Sequence, residues 1–373
     1  MGRAAGRCGI ANRINIGISD VFQDDGDGVK FRTLLLCCGL IVAAVLGGYG
    51  WRYLRFADTP LPGISADASV MVERGDNLGK LLKKMRTQHI ETGAGVYWQV
   101  LARQTGAAGK LQVGEYALAT NTTPRSLLSA MRDGKVIRRS FTLVEGWNMR
   151  DLRAALRKVP VLKQTLPEMD DAALMQALGH AGQHPEGRFL PETYAWTRGD
   201  SDLDILKRAY ADLEKVLHAQ WRTRAEDLPF DRPEQALTLA SIIEKETGNA
   251  SERAQIAGVF VRRLKTGMRL QTDPTVIYGM GSHYAGNIRR TDLTTDTPYN
   301  TYTRDSLPPT PIAMPGKAAL HAATHPAAGN ALYFVAIGDG SGRHVFSASL
   351  NEHNAAVREY VARYRAQRQA EKQ

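Results

Sequence analysis

Ala236-Leu-Thr-Leu-Ala-Ser-Ile-Ile-Glu-Lys-Glu-Thr-Gly248 reads as a helix whose far end carries chemistry. Leu239, Ile242, Ile243 and Glu246 recur at i, i+3, i+4 and i+7, so the Glu246 carboxylate shares the apolar face while Glu244 points elsewhere. Gly248 supplies a stop, and Asn249-Ala-Ser-Glu252 resembles a capping box opening a second helix with Ile256, Val259, Phe260 and Leu264 on one face. An ionised carboxylate on an apolar face is costly unless it is paired, solvated in a cleft or protonated. A cleft of that kind lifts a Glu from about 4.3 toward 6, where it can serve as a general acid. The spacing leaves other readings open: a structural ion pair with Arg262 or Arg263, or plain exposure at a helix end.

Downstream, Leu270-Gln-Thr-Asp-Pro-Thr-Val-Ile-Tyr278 and Pro298-Tyr-Asn-Thr-Tyr302 concentrate amides, hydroxyls and aromatic rings, the groups that hydrogen-bond to sugars and stack on them. Taken singly, each also reads as a loop punctuated by turn residues. His283, His321, His325, His344 and His353 match no HExxH or paired-ligand spacing, so no metal is expected. No Gly-x-Ser-x-Gly elbow occurs. The three cysteines, Cys8, Cys37 and Cys38, all precede residue 52, which leaves the rest of the chain without disulfides or thiol nucleophiles.

Upstream, Ala68 to Val72 reads as a strand, followed by a helix carrying Leu78, Leu81, Leu82 and Met85 and a second helix around Tyr97 to Gln104. Gly114 to Leu118 is strand-like, and Thr123-Pro124 opens a helix that ends at Asp133-Gly134, with Thr123 as cap and Pro124 in the first turn. Val136 to Leu143 is again strand-like, and Glu145-Gly146 leads into a helix through Leu152 and Leu156. Residues 160 to 230 read mainly as helices and loops around the stretch Glu186-Gly-Arg-Phe-Leu-Pro-Glu-Thr-Tyr194. The polar tail beyond Arg365 is expected to fray.

Leu34 to Trp51 carries no charge, and as a helix it spans about 27 Å, close to a hydrocarbon core of about 30 Å. Tyr49, Trp51 and Tyr53 gather at its far end, where amphipathic rings favour the membrane interface. Arg3, Arg7 and Arg13 favour a cytoplasmic N-terminus. A cleaved signal peptide fits less well, because 33 residues precede the apolar run and no Ala-x-Ala follows it. Thr59-Pro-Leu-Pro-Gly63 reads as a stiff spacer, and Asp20 to Gly28 as part of a polar tail. The net charge of +10 over 373 residues suits polyanionic surroundings. No basic run interleaved with aromatics occurs, so nucleic acid is not an expected partner.

Three runs together, Ala240-Ser-Ile-Ile-Glu-Lys-Glu-Thr247, Leu270 to Gly279 and Tyr299-Asn-Thr-Tyr302, resemble the endolytic murein transglycosylases of the MltG (YceG-like) family. Further pieces that resemble it are Leu143-Val-Glu-Gly146, Glu186-Gly187, Leu190-Pro-Glu-Thr-Tyr194, Ile312-Ala-Met-Pro-Gly316, Leu332-Tyr-Phe-Val-Ala336 and His353-Asn354, so the likeness runs from about Ser69 to Tyr360. The resemblance implies an α+β chain: a cytoplasmic tail over 1–33, a single transmembrane helix over 34–53, a linker over 54–67, a small LysM-like module over 68–140, a mixed α/β catalytic domain over 141–365 in which one helix carries the catalytic Glu, and a polar tail over 366–373. It implies Glu246 as the catalytic residue, and Gln271, Thr272, Asp273, Tyr278, Asn300, Tyr302, Glu186, Glu192 and Tyr194 as residues that meet the glycan. It departs from the family at Glu192, where Asp is usual, at Thr310, where a small residue is usual, and at Arg188, where aromatics are common. These leave Glu246 untouched and put the contacts of the 186–194 loop in doubt.

The activity so implied is cleavage of MurNAc–GlcNAc bonds within nascent strands to leave 1,6-anhydro-MurNAc ends, limiting strand elongation, with no cofactor. The implied setting is the inner membrane, single-pass, with the catalytic domain periplasmic and peptidoglycan synthases as further partners. A non-catalytic peptidoglycan-binding scaffold and a muramidase that uses water remain as competing readings.

Overall fold

The computed structural model describes residues 26–370, so most of the expected tail over 1–33, and residues 371–373, lie outside the described residues. The elements in chain order are α1 (Gly26–Asp58), β1 (Ser69–Val72), α2 (Leu78–Thr87), α3 (Gly95–Gln104), β2 (Gly114–Ala117), α4 (Pro124–Asp133), β3 (Arg139–Thr142), α5 (Met149–Arg157), α6 (Asp171–Ala177), β4 (Thr193–Trp196), α7 (Asp202–Arg222), α8 (Pro233–Glu246), α9 (Arg253–Lys265), α10 (Asp273–Met280), α11 (Arg290–Thr294), α12 (Lys317–Thr324), β5 (Tyr333–Ala336), β6 (His344–Ser347) and α13 (Leu350–Ala370). The strands pair antiparallel in three two-stranded sheets, β1 with β2, β3 with β4 and β5 with β6. The chain divides into two compact units, one holding α1 to α4 with their connections, the other holding β1, β2 and the chain from Asp133 onward.

In the first unit, α1 contains a 27-residue stretch, Arg32–Asp58, long and apolar enough to cross a membrane, with the side chains of residues 32–52 exposed on every face and Ala57 buried. The helix outruns the expected span at both ends. Residues 54–58, read as linker, continue it because their side chains find partners: Phe56 lies edge-on to Trp98 at 5.6 Å, and Asp58 accepts from Arg125 Nε at 2.7 Å. The Pro-rich spacer is seated as well, with Leu61 buried and its N–H donating to Thr122 O at 2.9 Å.

The second unit has two apolar clusters. One is built on the β3–β4 pair, where Phe141, Tyr194 and Trp196 join Leu152 and Leu156 of α5 and Ile205 and Tyr210 of α7. The strand β4 lies within the stretch read as helices and loops, and it pairs Tyr194 with Phe141 across more than 50 residues of sequence. The other cluster surrounds α8. Every residue from Ala236 to Ile243 is buried, so this is an enclosed helix and not one with a single apolar face. Its two hydroxyls are satisfied within the core: Thr238 Oγ1 donates to Glu234 O at 3.0 Å, and Ser241 Oγ donates to Thr238 O while accepting from Ile312 N at 3.0 Å. α12, α9 and α7 pack around it.

Four local expectations differ from the structure. α8 ends on Glu246, with Thr247 extended at φ −143°, so Gly248 is not its stop. Glu252 caps α9 through its backbone position; its side chain is turned away to His344, and the Asn249 carboxamide accepts from Ser251 instead of closing a capping box. The stretch after Thr272, read as loop, is helix α10: Pro274 falls in the first turn, where its missing N–H costs nothing, and Asp273 offsets the helix dipole. At the C-terminal end α13 continues to Ala370, past the point where fraying was expected.

Candidate active site

Glu246 is the last residue of α8, where a buried helix delivers its side chain to the edge of a cleft. The cleft, about 550 Å³, is lined by Glu246, Gln271, Asp273 and Tyr302 on one side and by Tyr333, Phe334, His353 and Asn354 on the other, with Arg263 among them. Burial raises the Glu246 carboxyl to about 7; neighbouring Asp273 pushes the same way, while a hydrogen bond from Thr272 and the charges of His344 and Arg263 oppose it. The carboxylate also stands at the negative end of the α8 dipole, which disfavours its charge. Thr272 Oγ1 donates to Glu246 Oε1. Among the described residues Glu246 makes no ion pair. Arg262 and Arg263 are held instead by carbonyls, Arg262 Nε on Ala331 O at 2.7 Å and Arg263 Nε on Leu332 O at 2.7 Å. Glu244 faces away, accepting from Gly316 N at 3.0 Å and lying 3.5 Å from Arg253.

The segment beside Glu246 is fixed by residues 300 and 301. Gln271 takes a left-handed φ of 47°, strained for a side chain with a Cβ, and its N–H donates to Thr301 O at 3.1 Å. Thr272 N donates to Thr301 Oγ1 at 3.0 Å, and the Thr275 and Thr301 hydroxyls meet at 2.9 Å. Asn300, 1% exposed, turns its carboxamide on the backbone: Nδ2 donates to Thr295 O at 2.7 Å and Oδ1 accepts from Tyr302 N at 2.9 Å. That frame aims Tyr302, whose hydroxyl donates to Asp273 Oδ1 at 2.6 Å.

Of the residues expected to meet the glycan, Gln271, Asp273 and Tyr302 line the cleft beside Glu246, and Thr272 touches the Glu246 carboxyl itself. The others stand elsewhere. Asn300 is buried behind the cleft. Tyr278 lies further along α10 and donates to Glu186 Oε2 at 2.9 Å; Glu186, 2% exposed, also accepts from Met149 N at 3.1 Å. Burial raises the Glu186 carboxyl to about 7. Tyr194 is buried with its hydroxyl on Leu190 O at 2.8 Å, and Glu192 pairs on the surface with Lys317. None of these five lines the cleft.

The residues not expected there come from β5 and α13. Leu350, His353, Asn354 and Val357 fall at i, i+3, i+4 and i+7, so one face of α13 walls the cleft, a spacing visible in the sequence. The His353 ring stacks on Tyr333 at 5.2 Å, and burial together with Arg263 holds its imidazole below the usual histidine range.

The model of the YceG-like family matches residues 70–359, which contain this whole site. The chain belongs to the YceG-like family. It is 31% identical over 284 residues to the endolytic murein transglycosylase of Bacillus subtilis, a match that covers 71% of this chain and 77% of that protein. The endolytic murein transglycosylase of Streptococcus pneumoniae is 29% identical over 213 residues, 56% of this chain and 36% of that protein. A crystal structure of a YceG-like protein of Listeria monocytogenes at 2.6 Å aligns with 78% of this chain and 99% of its own at 26% identity, with a TM-score of 0.47.

Proposed function

We propose that the protein is a membrane-anchored lytic transglycosylase of peptidoglycan in which Glu246 is the single acid/base group. The observation that carries this reading is a carboxyl lifted to about 7 at the edge of a cleft walled by amide, hydroxyl and aromatic side chains, in a chain 31% identical to an endolytic murein transglycosylase. Protonated Glu246 donates to the glycosidic oxygen between MurNAc and GlcNAc as the C1–O bond breaks. The MurNAc C6 hydroxyl oxygen then bonds to C1 and returns its proton to the Glu246 carboxylate. The product is a 1,6-anhydro-MurNAc end. An intramolecular nucleophile held in place contributes what a second carboxylate supplies in a hydrolase.

Gln271, Asp273 and Tyr302 are the proposed glycan contacts, with Thr272 setting the Glu246 carboxyl and Asn300 holding the loop. Glu186, Tyr278, Glu192 and Tyr194 support the fold around them. Residues 68–140 would form the LysM-like module and 141–365 the catalytic domain, exported from an inner membrane crossed once by α1 with the N-terminus cytoplasmic. Cleavage near that membrane suits a role in limiting nascent strands beside the synthases. Asp273, a second carboxylate in the same cleft, favours one alternative, an inverting hydrolase that uses water.

The test is cleavage of uncrosslinked nascent glycan by the detergent-solubilised full chain and by its Glu246→Gln variant. Removal of a general acid lowers the rate by about 10²–10⁴-fold. A variant that cuts as fast as the native chain sinks the assignment.

A further inference from the structure

At the start of α9 a carboxylate meets an imidazole, Glu252 with His344, and the reaction as described leaves them without a task. Glu252 is the residue before α9, six positions after Glu246, and is 8% exposed. Its carboxylate accepts twice from one residue, from His344 N at 3.1 Å and from His344 Nδ1 at 2.8 Å. His344 opens β6 opposite Ala336, the last residue of β5, and its ring stands edge-on to Phe334 at 5.5 Å. Phe334, with Tyr333 and Val335, is the strand wall of the cleft. At the other end of α9, Arg262 and Arg263 donate to Ala331 O and Leu332 O, just before β5. One helix therefore grips the hairpin at both ends, by arginines on carbonyls at its C-terminal turn and by a carboxylate on an imidazole at its N-terminus.

Resting on the assignment of Glu246 above, we infer that Glu252 and His344 are a positioning pair for the reaction: Glu252 fixes the hairpin whose β5 strand walls the cleft and seats the His344 ring against Phe334 of that wall. The groups facing Glu246 are Thr272 and Asp273 from α10 and the residue before it, Arg263 from α9 and His344 from β6. Those facing His344 are Glu252, Phe334 and Phe346. A plain structural clamp needs only one of the two hydrogen bonds and would leave the ionisation of Glu246 alone. The charge of His344 is among the influences that lower Glu246 against the effect of burial, so the pair bears on the pH at which the acid is lost.

The experiment is the pH dependence of kcat/KM for cleavage of uncrosslinked nascent glycan by the full chain, with His344→Gln, Glu252→Gln and Glu246→Gln in parallel. The activity needs protonated Glu246 and declines as pH rises through its titration. His344→Gln, which removes a favourable charge from the Glu246 carboxylate, is expected to move that basic limb to higher pH. It is also expected to lower kcat/KM at the optimum by about tenfold, since small displacements of a cleft wall cost up to about a hundredfold. Glu252→Gln, nearly isosteric and retaining one acceptor, should shift the limb in the same direction with a smaller loss. The inference is overturned if both variants keep the native limb and the native kcat/KM while Glu246→Gln is inactive. Should Glu246→Gln cut at the native rate, the failure belongs to the catalytic assignment, because the limb then reports another group. If His344→Gln loses its thermal unfolding transition, the Glu252→Gln profile alone decides.

Discussion

Among the described residues Thr272 is the one side chain that touches the Glu246 carboxyl through a hydrogen bond, and it donates. Such a bond favours the charged form, so the threonine holds Glu246 lower than burial alone would. Replacing it with valine keeps the shape and removes the donor. Thr272→Val is therefore expected to move the basic limb of kcat/KM upward by about one pH unit, the scale of a hydrogen bond to a charged group. A pH profile with an unmoved limb contradicts this. A carboxylate at the end of an apolar run is legible at Glu246 in the sequence, while the burial of the whole helix around it is not. Nor is the contact with Thr272, since it spans 26 residues and depends on where the α9 helix and its following turn return the chain. Asn300 illustrates the converse: its motif drew it out as a sugar contact, yet its amide is consumed by three carbonyls of the preceding segment, Asp292, Leu293 and Thr295.

At the scale of elements, Glu186 joins the start of α5, through Met149 N, to α10, through Tyr278. Its folded-state carboxyl near 7 lies above the value of about 4.3 expected in an unfolded chain. The sign follows from linkage: the folded state binds the proton more tightly, so stability is fullest below the unfolded value and declines as pH rises through about 4.3 to 7. Glu186→Gln cannot ionise. Relative to the native chain it should gain stability between about pH 5 and pH 8, by up to about 3 kcal/mol, from a shift of between two and three pH units. Thermal melts across that range check it, and parallel pH curves for the two proteins contradict it. The helices α8 and α9 could be read from their periodicity, whereas α10 was mistaken for loop because Pro274 looks like a breaker until its place in the first turn is known. β5 and β6 were not read as strands, although Tyr333-Phe-Val-Ala336 carries the aromatic and β-branched residues that strands favour; what the sequence does not show is how α9 holds the hairpin, by Arg263 on Leu332 O and Glu252 on His344 N.

For the whole molecule, the cleft draws on the end of α8, the segment from Leu270 to Asp273, Tyr302, the β5 strand and one face of α13. No single run of sequence describes it, which is why the glycan-facing set was only half legible: three of nine expected residues line it, and Thr272 meets the acid from behind. The helix long and apolar enough to cross a membrane was legible at once, since an uncharged apolar run needs no tertiary partner, though its extension to Asp58 depends on contacts with α3 and Arg125. With the N-terminus cytoplasmic, protease added to intact spheroplasts should digest everything beyond α1 and spare a tag placed at residue 1; loss of the tag would reverse the orientation. The reaction itself is tested most directly by mass spectrometry of the sugar ends that the full chain releases from uncrosslinked nascent glycan, with Glu246→Gln run alongside. The proposed chemistry predicts 1,6-anhydro-MurNAc ends from the native chain and none from the variant, and reducing MurNAc ends would contradict it.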